Sequence, residues 1–231
     1  MSSYSIIITA SHIQSHPSID FIKCTIESLE NIHMKNDTQI ILAHDYSTNS
    51  NFHTYLIDLK EYIADKHHVQ IVVCDKYGHL TGNIRNAFEY IQTEYVLIIQ
   101  HDLPFIREFE IEKVIEDMKN NPKLKHIRFN KRANIKTGSD AINDLFGKQL
   151  VSLNYIYTRT PSWSDNNHLC CTDYYRDIIL KECKNGKPME SYLITKSNTE
   201  VIHNKYGTYL LGQINEPAYI KHIDGRCRKH L

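Results

Sequence analysis

Tyr95-Val-Leu-Ile-Ile-Gln-His-Asp102 runs from the most hydrophobic strand signal in the chain directly into an acidic loop. An unbroken apolar run of this length, rich in β-branched residues, suits a strand covered on both faces. The same signature recurs at Ser5-Ile-Ile-Ile-Thr9, at Thr38–Ala43 and at Val69–Val73. Helical patterns separate the runs. In Ser18–Ile32 the residues Ile19, Ile22, Ile26 and Leu29 form one apolar stripe, with Pro17 and Ser18 placed as helix-start signals. Phe52–Lys66, Thr81–Gln92 and Glu108–Asn120 read the same way, the last stopping near Pro122. Strand and helix in alternation predict an α/β fold, a mostly parallel sheet flanked by helices. Ligands of such sheets bind beyond the carboxyl ends of the strands, so the loops after Thr9, Ala43, Val73 and Ile99 are the places to look. From about Leu124 onward the pattern is less regular. It offers strands at Lys125–Phe129 and Leu150–Thr158, a helix at Thr172–Cys183 and a Gly/Tyr-rich tail. No repeat or linker divides the chain, so residues 1–231 are expected to form one domain with halves at 1–122 and 123–231.

Composition narrows the function. Lys+Arg and Asp+Glu both total 27, so the formal charge is zero with neutral histidines. That balance argues against holding nucleic acid or anionic membrane by bulk charge. Hydrophobic residues at 41% and charged residues at 23% fit a globular protein rather than a disordered one. No apolar run approaches the roughly 20 residues that span a bilayer. Met1–Ala10 lacks the basic start and long apolar segment of a secretory signal, so a cytoplasmic location is expected. The six cysteines show no CxxC pair and read as reduced thiols, and His67-His68 reads as a solvated pair.

Two clusters carry chemistry. Asp102, in Gln100-His101-Asp102-Leu103-Pro104, lies at the mouth of a buried strand, where a carboxylate needs a positive partner. A divalent cation bridging a diphosphate would supply one, and a simple turn cap before Pro104 would explain the residue equally well. The second cluster is Asp75-Lys-Tyr-Gly78-His-Leu-Thr-Gly82-Asn-Ile-Arg85-Asn86. Glycines before a helix that carries Arg85 in its first turns favour an anion such as phosphate. A surface ion pair of Arg85 is the plainer alternative. The pattern is neither GxGxxG nor a P-loop.

In order and spacing, residues 5 to about 118 resemble the nucleotide-sugar-dependent glycosyltransferases of the GT-A fold, family-two type. The resemblance rests on a first strand with a short polar loop, Ile6-Ile-Ile-Thr-Ala-Ser11, and on an Asp-containing turn, His44-Asp45-Tyr46-Ser47. The helix start Gly78 through Gly82-Asn83-Ile84-Arg85-Asn86 follows, and then the strand that runs into Gln100-His101-Asp102. The family has Asp-x-Asp at the last position, and here its first aspartate is Gln100. The resemblance implies a Rossmann-like sheet, a nucleoside diphosphate sugar donor and a glycan or other hydroxyl acceptor. It implies Mn²⁺ or Mg²⁺ at Asp102, with metal independence as the alternative that Gln100 raises. Thr9, Ser11 and Asp45 are then expected at the nucleoside, Gln100 at the ribose, Gly78 in the donor site, and Arg85 near the diphosphate or in the donor-pocket wall. Uridine is the base the resemblance favours.

The resemblance further implies that the second half binds the acceptor, supplies the catalytic base and offers a late histidine to the metal. Trp163-Ser-Asp165-Asn-Asn-His168 joins the only tryptophan to carboxylate and amide groups, the combination that stacks and hydrogen-bonds a sugar. An ordinary loop with a buried tryptophan anchor is the alternative. Glu190, after Gly186-Lys-Pro-Met189, is the expected general base, with Asp165 as its rival. His222 is a candidate third metal ligand, and Lys221 and Arg226 are candidates to clamp the diphosphate. Direct attack on the anomeric carbon implies inversion. Two other functions stay open: a non-catalytic nucleotide-sugar-binding module, suggested by the missing aspartate, and a sugar nucleotidyltransferase. The latter is disfavoured because Thr9-Ala-Ser-His-Ile-Gln-Ser15 has no Gly, Lys or Arg.

Overall fold

A computed structural model of the chain describes residues 2–11, 17–136, 146–161, 163–193 and 199–223. Strands β1 (Tyr4–Ala10), β2 (Ile40–His44), β3 (Val69–Val73) and β4 (Tyr95–Gln100) are parallel and lie in the order β3-β2-β1-β4. Their apolar runs are explained by burial on both faces. In β1, Ile6 and Ile8 face one hydrophobic cluster while Ile7 faces the other, and Leu97 and Ile98 of β4 divide the same way. Helices α1 (Asp20–Glu27), α2 (Asn51–Tyr62) and α4 (Ile111–Asn120) cover the first face through residues such as Ile22, Leu59 and Val114. Helix α3 (His79–Phe88) covers the second through Ile84, Ala87 and Phe88. Each fully buried Ile or Leu contributes about 1.5–3 kcal/mol. This part of the fold matches the α/β expectation, with a 3₁₀ turn at Ser28–Ile32 where a continuous helix was expected.

The second half extends the same sheet rather than forming a separate layer. Strand β8 (His168–Cys171) inserts antiparallel between β4 and β5 (His126–Arg128). Beyond β5 come β9 (Thr208–Leu211), β7 (Ile156–Arg159) and the edge strand β6 (Gln149–Val151). The stretch expected as one strand at Leu150–Thr158 is a hairpin, β6 and β7, turning at Ser152–Tyr155. The segment after β8 is helical throughout but not uniformly α. It runs as α5 (Thr172–Tyr174), a π-turn stretch at Tyr175–Ile179 and α6 (Leu180–Glu182). The wider turn brings Tyr175 into stacking contact with both Phe88 of α3 and His168 of β8. Short helices α7 (Glu190–Leu193) and α8 (Glu200–Tyr206) follow. The five described cysteines are free thiols. Among the described residues no helix is long and apolar enough to cross a membrane.

A buried carboxylate locks the hairpin to the first half. Asp117 of α4 is fully buried and accepts from the Asn154 amide at 2.9 Å, the Tyr155 amide at 3.0 Å and the Tyr157 hydroxyl at 2.8 Å. Removing a buried carboxylate that satisfies one buried hydroxyl and two half-buried amides leaves them unpaired, which costs about 3–5 kcal/mol. Asp117→Ala is therefore expected to lower the unfolding free energy by about that amount in urea titration, and Asp117→Asn by less; a change under about 1 kcal/mol for Asp117→Ala would contradict this role.

Candidate active site

Strand order locates the cleft. From β1 the chain steps to β2 on one side and returns to β4 on the other, and crevices form beyond the carboxyl ends where the order reverses. There Thr9 of β1 lies in register with Ala43 of β2 and Gln100 of β4. A cleft of about 270 Å³ opens beside these three strand ends.

The strand ends are held by side chains. Thr9 Oγ1 donates to the Ile99 carbonyl at 3.1 Å. Asn83 Nδ2 of α3 donates to Ala43 O at 2.8 Å and Ala10 O at 3.2 Å, joining the ends of β2 and β1. Asn167 accepts from the Gln100 amide at 3.1 Å and donates to Leu103 O at 2.7 Å, fixing the Gln-His-Asp loop. Buried backbone groups at the ends of strands need such partners. Asn83 and Asn167 stand inside motifs of the sequence, but neither was expected to have a role. Their signal was an amide side chain at a helix start or strand start facing a predicted strand end.

On one side of the cleft, Asp45 is buried and its Oδ1 accepts from the Tyr46 and Gly78 amides, both at 2.9 Å. This leaves Oδ2 as the oxygen available to a ligand. A Cβ at Gly78 would come within 2.9 Å of Gly82 Cα, so only glycine fits that approach. His79 follows with φ +53°, and Tyr77, 62% exposed, meets its ring edge-on at 6.2 Å. Ser11, Tyr77 and His79 all line the cleft.

At the centre, Asp102 is buried and its Oδ2 lies 3.0 Å from His222 Nε2, 120 residues away in sequence. Carboxylate with imidazole is a donor set that suits Mn²⁺ better than Mg²⁺, which prefers oxygen alone. Among the described residues no three His, Cys, Asp or Glu side chains converge as a complete metal cage. The remaining coordination positions would belong to ligand oxygens or water. Lys221 donates its backbone N–H to Pro104 O at 3.1 Å; Arg226 lies outside the described residues.

On the far side the two rival bases meet. Glu190, the first residue of α7, accepts from Ser164 Oγ at 2.7 Å and from the Asp165 amide at 3.4 Å. Gln100 Nε2 donates to the Asp165 carbonyl at 2.9 Å, tying this loop to the end of β4. Burial first, then the charge and hydrogen bond of Glu190, push the Asp165 carboxyl up to about 7. A like charge beside a buried carboxyl favours its protonated form, so Asp165 keeps its proton further toward neutrality than a free carboxyl.

Three expectations require correction. Trp163 is fully buried, packed 5.5 Å from the His126 ring and 6.0 Å from His168, so it anchors the loop and cannot stack on a sugar. His168 is also fully buried within β8, its Nδ1 2.7 Å from the Asn166 carbonyl, and burial pulls its pKa down to about 4. The tryptophan's large apolar area outweighed the polar character of its neighbours, so only Asp165 of this stretch reaches the cleft. Arg85 points away from the cleft and bonds Asn185 Oδ1 at 2.5 Å, Cys183 O at 2.6 Å and Leu180 O.

The glycosyl transferase family 2 profile matches residues 6–182, and the chain belongs to that family. Its sheet with flanking helices is that of the GT-A glycosyltransferases. TarS 1-349 from S. aureus is similar at 14% identity with a TM-score of 0.57, over 95% of this chain and 60% of that one. The same TarS fragment in complex with UDP-GlcNAc aligns at 12% identity and a TM-score of 0.59, over 97% of this chain and 59% of that chain. The mannosyltransferase PcManGT from Pyrobaculum calidifontis, in complex with GDP-Man and Mn²⁺, aligns at 11% identity and 0.61, over 98% and 58%. The chain thus spans about 60% of the length of these solved structures. No curated protein sequence matches it.

The raised carboxyl carries a stability signature. A carboxyl whose folded pKa exceeds its unfolded value favours the protonated form, so its contribution is present in acid and lost as pH rises toward 7. Asp165→Asn is therefore expected to melt a few degrees above the parent at pH 8, with the gain shrinking to nothing near pH 4. A gain that grows toward acid would contradict the assignment.

Proposed function

We propose that the protein transfers a sugar from a nucleoside diphosphate sugar, a UDP-sugar, to an acceptor hydroxyl with inversion. The observation that carries this is Asp165, backed by Glu190, lining the same cleft as Asp45, Gln100 and Asp102. The family assignment and the nucleotide sugars in the related structures support the donor class. UDP-GlcNAc in TarS favours uridine, and GDP-Man in PcManGT keeps guanosine as the competing base.

Thr9, Ser11 and Asp45 contact the nucleoside, with Asp45 Oδ2 accepting from a base N–H or ribose hydroxyl. Gln100 contributes its side-chain carbonyl to the ribose. Asp102 and His222 would hold Mn²⁺ or Mg²⁺, and the ion would supply charge neutralisation for the leaving diphosphate. The deprotonated carboxyl pair takes the proton of the acceptor hydroxyl. The new C–O bond forms at the anomeric carbon as the bond to the diphosphate breaks, and the nucleoside diphosphate departs. No residue needs to form a covalent sugar intermediate, so the configuration inverts. The carboxyl pair favours this reading over a non-catalytic binding module, since binding alone gives no reason to keep a proton-accepting pair desolvated beside the ligand.

Calorimetric titration with UDP, GDP, dTDP and CMP, each with and without Mn²⁺, tests the donor site. Tight, Mn²⁺-enhanced binding of UDP that is lost in Asp102→Ala is the expected result; binding of none of the four would overturn the reading. Glu190→Gln and Asp165→Asn are each expected to lower kcat about 10²- to 10⁴-fold, with nucleotide affinity retained. In the parent, kcat/KM is expected to rise with pH through about 7 as the pair loses its proton; a flat profile between pH 5 and 8 would contradict the assignment.

A further inference from the structure

Arg85 was expected at the diphosphate and is found elsewhere, committed to the other half of the protein. Its guanidinium reaches three acceptors within six residues: Leu180 O, Cys183 O and Asn185 Oδ1. Two of these carbonyls belong to the end of the helical stretch that closes with α6, where the final turn leaves carbonyls without intrahelical partners. A fixed planar fork of N–H donors can hold several such groups at once in a way an ammonium cannot.

The same short stretch of α3 binds the next residues of that segment. The Gly186 amide donates to Gly78 O at 2.8 Å, and Thr81 Oγ1 donates to Lys187 O at 3.1 Å. A Cβ at Gly82 would meet Asn185 Cγ at 3.5 Å, so the helix surface is smooth where the segment lies against it. Three residues beyond Lys187, the chain enters α7 at Glu190, which meets Ser164 and Asp165 at the cleft. The backbone of Gly78 is shared: its N–H donates to Asp45 Oδ1 while its carbonyl accepts from the Gly186 amide. The residues that hold the donor nucleoside and the segment that delivers the base are thus fastened to one helix start.

We propose that Arg85 is a positioning residue, fastening residues 180–187 to α3 so that Glu190 is held against Asp165. The inference rests on the proposed transfer reaction for its consequence in catalysis, but the placement of the carboxyl pair can be measured without it. With the anchor removed, Glu190 moves off Asp165, the mutual repulsion and hydrogen bond weaken, and the raised Asp165 carboxyl falls back toward the ordinary carboxylate range. A role at the diphosphate predicts the opposite pattern, weaker nucleotide binding with an unchanged carboxyl.

The test uses the full chain with Arg85→Met and Arg85→Lys. Carboxyl ¹³C NMR titration, with Asp165→Asn and Glu190→Gln to assign the resonances, reads the pair directly, and hydrogen exchange reads amides 183–193. Arg85→Met is expected to lower the upper carboxyl pKa by at least one unit and speed exchange in that segment at least tenfold. UDP affinity should stay within about twofold. Arg85→Lys should restore part of both changes. In the transfer assay, kcat should fall at least tenfold with donor KM unchanged, and the acid limb of the pH profile should move to lower pH. An unmoved carboxyl titration in a folded Arg85→Met protein overturns the proposal, as does a tenfold loss of UDP affinity. If Arg85→Met fails to fold, Asn185→Ala removes one arm of the clamp, and an unmoved titration there overturns it as well. Absence of transfer by the parent with any nucleotide sugar would overturn the enzymatic reading alone, because the titration and exchange results still decide the clamp.

Discussion

Where parallel strands stop, their last backbone groups face a cleft rather than a neighbouring strand, and those groups must find partners without closing the cleft. In this protein the solution is a ring of small polar side chains. Asn83 takes the terminal carbonyls of two strands, Thr9 takes a third, and Asn167 satisfies both a donor and an acceptor in the Gln-His-Asp loop. Each bond contributes only about 1 kcal/mol, but an unpaired buried group at the same place costs about 1–3 kcal/mol. The floor of the site is therefore rigid for reasons of backbone satisfaction, before any ligand is considered. Side chains with other duties, Asp45, Asp102 and Asp165, are carried on that floor.

The electrostatic character of the cleft is set by its acidic corner. Asp165 and Glu190 approach one another there, and a backbone hydrogen bond and the charge of Lys131 only partly offset burial and the charge of Glu190. Like charges in such a place cannot both persist, so one proton is retained until near neutrality. Arg85, whose place after the glycines suited an anion, is spent on helix carbonyls and on Asn185 instead of on either carboxyl. A cation facing the pair would lower its affinity for a proton and weaken it as a base. Sending Arg85 to the back of α3 keeps the carboxyls basic while still fastening the segment that holds one of them.

Much of the fold was legible because strands buried on both faces leave a signal that short-range patterns cannot hide. Ile6, Ile7 and Ile8 all read apolar because each has a helix-covered face to fill. The loop motifs around Asp45 and Asp102, read in order along the chain, are brought to one cleft by the fold. Strands β8 and β9 were not legible: four residues each, one rich in cysteine and the other in a Gly/Tyr-rich stretch, they are made strands by their neighbours rather than by their own pattern. Trp163 misled because polarity of adjacent residues says nothing about which way a single large side chain turns. Arg85 misled for a related reason. A helix-start arginine near glycines fits an anion site, and only the fold shows that Gly78 is needed for a tight turn onto Gly82 and that a passing segment of chain takes up the arginine. The meeting of Asp165 with Glu190 spans 25 positions and depends on that same packing.

The central claim is that a base-activated hydroxyl displaces the nucleotide in one step, with no protein nucleophile between donor and product. The anomeric configuration of the product tests this most directly. With an α-linked nucleotide sugar, ¹H NMR of the freshly formed glycoside should show a β linkage from the first turnover. An α-linked product would contradict the account, because retention requires a second displacement or a front-face route that the Asp165–Glu190 pair does not serve.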